Sequence, residues 1–266
     1  MSATVPPIRA RRAGFLMDVL TVAGRGLRAI PREPEAVIPS LVIGAFFYLV
    51  NVGTLQPLSE AARPAGFDYA AFQVPTAIIF SVTGVSRAAL VVVDIQSGYF
   101  DRLLMTPVSR IALLLGLLIS DFVLVIGLTI PVLIMGFIFG VTFTTGVLGV
   151  LAFMLIAGLW GIAFSGFTYA IALRTGSAAA VNSSFLLFFP FAFLTTALLP
   201  REQLTGALDT IAGWNPMTYL LAGLRALISD GWNVADLAGA LMAIALVGAV
   251  SMSLALLALR SRVSRG

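Results

Sequence analysis

The chain has 266 residues, of which 59% are hydrophobic and 11% charged, with a mean hydropathy of +1.04 and a formal charge of +4. A soluble domain carries roughly 25% charged residues, so this composition excludes a water-soluble globule and defines an integral membrane protein. Histidine, cysteine and lysine are absent, which removes thiolate and imidazole metal sites, nucleophile–base pairs built on those groups, and the lysine of a phosphate-binding loop.

Residues 1–10 form a short Pro-containing arm. From Arg11 to Ile30 the pattern is helical and amphipathic. Leu16, Leu20, Ala23, Leu27 and Ile30 share one face, and Arg11, Asp18, Arg25 and Arg28 occupy the other. Such a basic amphipathic helix (11–30) is expected to lie in the membrane interface. Asp18 and the arginines that follow argue against a cleaved signal peptide. Pro31, Pro34 and Pro39 then turn the chain into the bilayer.

Six apolar runs follow, each long enough for the roughly 20 residues of a crossing. They predict spans near 36–55, 70–93, 111–139, 147–173, 178–199 and 234–259, an all-α membrane fold. The third exceeds a bilayer's thickness, so it tilts or projects. Arginine placement sets the orientation. Twelve arginines fall in the N-terminal segment, the 94–110 island, the 174–177 turn and the tail, against three (Arg63, Arg201, Arg225) in the opposite loops. The positive-inside rule therefore puts both termini and the island in the cytoplasm.

That island, Ser97 to Arg110, reads as a compact helix. Phe100, Leu103 and Leu104 fall on one face, Asp101 sits near the positive N-terminal end, and Thr106-Pro107 stops the run. Its apolar face has two uses, docking into the groove of a partner or packing beneath spans two and three. The external segment 200–233 holds two short helical repeats broken at Trp214-Asn215-Pro216. A re-entrant pair of half-helices and a pair of surface helices held by Trp214, Tyr219 and Trp232 both fit this pattern.

Charges inside spans are costly and mark candidate sites. Arg87 in span two and Asp121 in span three reach similar depths, where an ion pair, a substrate or proton role, and snorkelling of Arg87 to the interface are the alternatives. Span five carries the cluster Asn182-Ser183-Ser184 and then Phe185, Phe188, Phe189, Phe191 and Phe193 around Pro190, with Thr195 and Thr196 beyond. A polar cluster beside an aromatic wall suits an amphipathic ligand, and equally suits helix bridging with lipid-facing phenylalanines.

Asp94-Ile-Gln-Ser-Gly98 through Pro107-Val-Ser-Arg110, and Leu199-Pro200 followed by Trp214-Asn215-Pro216-Met217-Thr218 and Leu224-Arg225, stand where the type-2 ABC exporter permeases carry similar segments. The chain resembles that family over nearly its whole length, in the manner of bacterial drug-resistance and lipid or glycan exporters such as the daunorubicin-resistance permeases. It lacks the large external domain of the macrolide-exporter type. The resemblance implies a permease that pairs with an identical or related second permease in the bacterial plasma membrane, above two ATP-binding subunits that carry the ATP and magnesium. It implies that residues 97–109 form the coupling helix, with Gly98, Phe100, Asp101, Arg102, Leu103, Leu104, Thr106 and Pro107 as coupling residues. It also puts spans two and five at the permease interface, which makes Asn182, Ser183, Phe185, Phe189 and Thr196 substrate-pathway candidates. The implied cargo is a drug, antibiotic, lipid or glycan moved outward.

On this reading the chain itself hydrolyses no ATP and binds no cofactor. Its high pI reflects arginines at the membrane rim rather than a nucleic-acid partner. An ion-coupled secondary transporter using Asp121 is the alternative. It would call for ionisable groups at the midplane and an internal repeat, and Asp121 is the one acidic residue deep in a span. A membrane-embedded enzyme would have only carboxylates to work with, and Asp94, Asp101 and Asp121 form no catalytic spacing.

Overall fold

The computed structural model describes residues 14–32, 34–62, 67–83, 85–104 and 109–263, and among these the regular structure is entirely helical. Helix α1 (Phe15–Ala29) runs into a short 3-10 turn and then α2 (Pro34–Ala62). Next come α3 (Tyr69–Val82), α4 (Ala88–Gln96), α5 (Tyr99–Leu104), α6 (Arg110–Ile138) and α7 (Gly146–Thr175). The short helices α8 (Ala178–Ser183), α9 (Phe185–Phe193), α10 (Ala207–Trp214) and α11 (Pro216–Arg225) lead through a π-helical turn, Ala226–Asp230, into α12 (Val234–Val263).

Among the described residues, four helical stretches are long and apolar enough to cross a membrane: Val37–Gln56, Ile111–Ile138, Gly146–Thr175 and Val234–Arg262. The other two sequence-expected spans take a different form. The second is α3 and α4, interrupted between Val82 and Ala88. The fifth is α8 and α9, followed by irregular backbone from Leu194 to Pro200.

The interruption of the second span has identifiable causes. Thr83 adopts an extended conformation that ends α3, and its hydroxyl accepts the indole N–H of Trp160 on α7 at 2.9 Å. The Ser86 hydroxyl shares a 2.6 Å hydrogen bond with Thr168, also on α7. The backbone N–H of Arg87 donates to Asp121 of α6 at 2.8 Å. Non-helical backbone at membrane depth is tolerated where protein groups take up its donors and acceptors; Asp121 of α6 takes up one such donor here, and α7 holds the Thr83 and Ser86 side chains in place.

Two buried apolar clusters lie along the bundle. One contains Leu124 to Leu133 of α6, Phe153 to Phe164 of α7, and Ala240 to Val247 of α12. The other contains Leu113 and Leu114 of α6, Tyr169 to Leu173 of α7, Ala255 to Leu259 of α12, and Phe100 of α5. Between them on the same three helices stand Ser120 and Asp121, Ser165 and Thr168, and Ser251, all fully buried. With Arg87 they form a polar layer, and the second cluster marks the arginine-rich end of the bundle.

Helix α1 packs lengthwise on the first half of α6. Its buried stripe is Val19, Ala23 and Gly26, while Phe15, Leu16, Met17 and Leu20 are exposed. Leu16 and Leu20, on the face expected to lie in the membrane interface, are thus left outward, and Val19, Ala23 and Gly26 make the contact with α6. A Cβ on Gly116 would stand 2.6 Å from Val22 Cβ and 2.9 Å from the Val19 carbonyl oxygen. Gly116→Leu is accordingly expected to cost about 1–3 kcal/mol through overpacking and to free α1. The unfolding midpoint in detergent should fall, and trypsin should cut at Arg25 and Arg28 sooner. Gly53→Ala, at a site where a Cβ meets nothing within 4 Å, should leave both readings unchanged.

Candidate functional site

Asp121 is fully buried on α6. One carboxylate oxygen accepts the Arg87 backbone N–H at 2.8 Å, and the other accepts the Tyr169 hydroxyl at 2.7 Å. The Arg87 guanidinium, 2% exposed, donates to the Gly26 carbonyl of α1 at 3.0 Å. Ser120, beside Asp121, donates to the Ala23 carbonyl at 3.0 Å. Burying charged and polar groups is affordable only when they are hydrogen-bonded. The structure thus brings Arg87 and Asp121 together, and the bond between them runs through the Arg87 main chain while its side chain reaches α1. Four elements meet here: α1, the break in span two, α6 and α7.

Toward the arginine-rich end, α4 finishes at Gln96 and the chain reverses through Gly98. The φ of +69° there lies in the left-handed region that glycine adopts without strain. Asp94 at the end of α4 accepts both ends of a bidentate bond from Arg25 of α1, at 2.6 and 2.9 Å. The Arg25 guanidinium also lies over the Tyr99 ring, 4.6 Å from its centroid. The Asp94 hydrogen bond, more than the field of Asp94 and Tyr99, pushes the Arg25 pKa above its ordinary value, against the opposing pull of burial. Arg25 is half exposed, so screening holds the pair to about 1 kcal/mol or less. Its significance is geometric, since it ties α1 to the start of α5.

On α5, Phe100 is 2% exposed and packs in the second apolar cluster, with Leu103 partly buried against it. Of the two uses open to the apolar face, these two side chains take the second, packing on the chain's own bundle. Phe100 thus packs inside the chain's own bundle. Tyr99, 43% exposed, and Arg102 face outward. Thr106 and Pro107 lie outside the described residues, as do the side chains of Asp101 and Leu104.

The opposite end is organised by two residues that the sequence offered only as motif markers. Asn215 caps α11 by accepting the Met217 N–H at 3.0 Å. Its amide donates to the carbonyls of Phe191 at 2.7 Å and Leu194 at 3.0 Å, which are freed where α9 ends. Pro216 occupies the first helical position, which suits its fixed φ. Arg225, read from sequence as an external-loop arginine, lies over the Phe72 ring with its guanidinium carbon 3.4 Å from the centroid. It donates to Thr196 and Thr76 at 3.2 Å and to the Phe72 carbonyl at 3.1 Å. The signal for this role was the apolar helix Met217–Leu224 immediately before it. That helix buries Leu220, Leu221 and Leu224, while α10 leaves Trp214 85% exposed. The two half-helices thus occupy different environments, α11 within the bundle and α10 on its surface.

The pathway candidates of span five do not converge. Asn182 and Ser183 are exposed, Phe189 is partly buried against Phe80 and Phe193, and Thr196 is buried under Arg225. The side chain of Phe185 lies outside those described. A neighbouring groove of about 780 Å³ is lined by Ser184 and Phe191 and by none of these four described side chains.

Long apolar helices joined by a polar layer, with a short helix pinned at one end and a buried half-helix at the other, define a polytopic membrane protein. The chain belongs to the ABC-2 type transporter family, which matches residues 18–228. That match runs from α1 to the π-helical turn and takes in α5, Arg87, Asp121, Asn215 and Arg225. A daunorubicin resistance ABC transporter permease of Streptomyces coeruleorubidus is 24% identical over 236 residues, spanning 85% of this chain and 81% of the relative. A probable doxorubicin resistance ABC transporter permease of Mycobacterium tuberculosis is 23% identical over 232 residues, spanning 86% and 83%. The chain is a type-2 ABC permease, a membrane transport subunit, and its family implies an ATP-binding partner subunit.

Proposed function

We propose that this permease is the membrane half of an ATP-driven exporter that moves a hydrophobic or amphipathic substrate, of the drug, antibiotic, lipid or glycan class, out of the cytoplasm. The observation that carries the reading is α5. A short helix with Tyr99 and Arg102 outward is pinned to α1 through Arg25 and to the core through Phe100. Two ATP-binding subunits, holding the ATP and magnesium, would press on its outward face, and a second permease, identical or related, would complete the pathway. Drug-resistance permeases among the relatives support the cargo class. Movement of α5 would pass through Phe100 to α4, α6, α7 and α12 and so reach the polar layer. Asn182, Ser183, Phe185, Phe189 and Thr196 remain the proposed pathway residues. The ion-coupled alternative draws less support, because Asp121 is enclosed by Tyr169 and Arg87.

The test is to purify the chain with its ATP-binding partner and reconstitute the complex into vesicles. ATP hydrolysis should be stimulated by anthracycline or lipid-like substrates and accompanied by their accumulation on the external side. Transport driven by an ion gradient without ATP would overturn the proposal.

Orientation is part of this reading, with six spans and both termini cytoplasmic in a bacterial plasma membrane. The cysteine-free chain allows a direct measurement. In intact cells an impermeant thiol reagent should label Glu202→Cys and spare Arg102→Cys. Labelling in the reverse order would invert the topology.

A further inference from the structure

The groove of about 780 Å³ lies between α7, α9 and α12, apart from α5 and from the polar node. Its walls are apolar along most of their length, with Phe164, Phe167 and Phe191 facing Val247, Leu254 and Leu257. One end is polar. Arg174 and Thr175 in the last turn of α7 meet Ser261 in the last turns of α12. Among the described residues, Arg174 is the only charged group in the lining and no carboxylate lines the groove.

The dimensions match one leaflet. From Phe164 to Thr175 the α7 wall rises about 16 Å at 1.5 Å per residue, close to half of a hydrocarbon core of about 30 Å. The polar end coincides with the ends of α7 and α12, where the arginine-rich end of the bundle meets the headgroup region. The Thr175 and Ser261 hydroxyls donate to the Ile171 and Ala258 carbonyls of their own helices, which leaves the exposed Arg174 cation at the headgroup level and a leaflet-deep apolar channel as the complement to one kind of molecule. That molecule has a negative head and a long apolar tail. A cationic amphiphile would place like charge against Arg174, and a wholly apolar one would leave the polar end unused.

We propose that this groove is a binding site for an anionic glycerophospholipid of the bilayer, its phosphate at Arg174 and an acyl chain between α7, α9 and α12. Lipid held there fills the wedge between α12 and the broken fifth span, so bilayer composition would bear on how α9 sits. The site stands independently of the proposed cargo.

The experiment uses the full chain, purified and delipidated, and then placed in nanodiscs of phosphatidylcholine and phosphatidylglycerol at four to one. Lipid retained on the protein is read by native mass spectrometry. Phosphatidylglycerol should be retained about fivefold over its share of the bilayer, the preference expected of a single arginine near a membrane surface. Arg174→Gln should remove the preference, and Arg260→Gln, an exposed arginine outside the groove lining, should keep it. Leu254→Trp, which fills the channel, should abolish retention of the acyl-bearing lipid. Glycerol phosphate added in excess should fail to displace it, because the head alone lacks the tail's contacts. Four results would overturn the proposal: equal retention of both lipids in the parent chain, unchanged preference in Arg174→Gln, displacement by glycerol phosphate alone, and a dimer that closes the groove and retains no lipid.

Discussion

Asp121→Ala is expected to eliminate most of the folded protein. Removing the carboxylate leaves the Arg87 guanidinium buried beside a lost countercharge, an error that costs about 3–5 kcal/mol in comparable buried pairs. It also strands the Tyr169 hydroxyl and the Arg87 N–H that donate to Asp121, each worth about 1–3 kcal/mol when left unsatisfied. Arg87→Ala should be the milder change, because its main-chain N–H still reaches Asp121. The double change Arg87→Met with Asp121→Leu removes both charges and should recover folded yield only in part, since the two stranded donors remain. Adding Tyr169→Phe should recover more. Yield and thermal midpoint by fluorescence-detected size exclusion give the ranking. Parental behaviour of Asp121→Ala would show that the node contributes nothing to the fold.

The residues of this node were visible in the sequence for a simple reason: a charge in an apolar run stands out. The geometry that unites them was hidden. Thr83, Val85 and Ser86 do not lower the hydropathy of residues 70–93 enough to reveal an interruption, and the groups that stabilise it, Trp160, Thr168 and Asp121, lie 34 to 82 residues away in sequence. Hydropathy reports how apolar a stretch is, whereas helix continuity here depends on which distant side chains bond to its backbone and to its Thr83 and Ser86 hydroxyls. The same limit applies to span five, where Asn215 and Arg225 take up carbonyls released after Pro190.

Periodicity was informative about α5 and less so about α1. In α5 the i, i+3 pattern located Phe100 and Leu103 on one face, and both are found turned toward the bundle. In α1 the periodicity gave the face expected to lie in the membrane interface, where Leu16 and Leu20 stay exposed, but not the stripe of Val19, Ala23 and Gly26 that packs on α6. Close approach of two helix backbones selects small side chains, and a count of bulky residues overlooks them. Arg225 was hidden in part, because the apolar helix before it signals burial but does not name Phe72 and Thr196 as its partners.

The largest functional effect is expected at α5, and its two faces should fail in different ways. Phe100 is buried in the chain's own cluster, so Phe100→Ala removes packing worth about 3–5 kcal/mol between α5 and the helices it would move. The proposed complex with the ATP-binding subunits should still assemble and hydrolyse ATP, because the outward face is unchanged. Substrate movement should fall to background, with the milder Phe100→Leu retaining part of it. Tyr99→Ala with Arg102→Ala does the opposite. Both side chains are exposed, Tyr99 with one side of its ring under the Arg25 guanidinium, so their loss leaves the apolar core intact, releases one tie to α1 and removes the proposed contact with the partner, where an aromatic or arginine anchor costs about 2 kcal/mol or more. Co-purification of the ATP-binding subunit should fall by more than tenfold, while the thermal midpoint of the permease alone should fall far less than in Phe100→Ala. Pull-down, ATP hydrolysis and vesicle transport measured on the same preparations separate the two outcomes. If Phe100→Ala loses the partner as completely as the outward pair does, α5 transmits nothing through its buried face. If the outward pair assembles and transports normally, the coupling contact lies elsewhere on the chain.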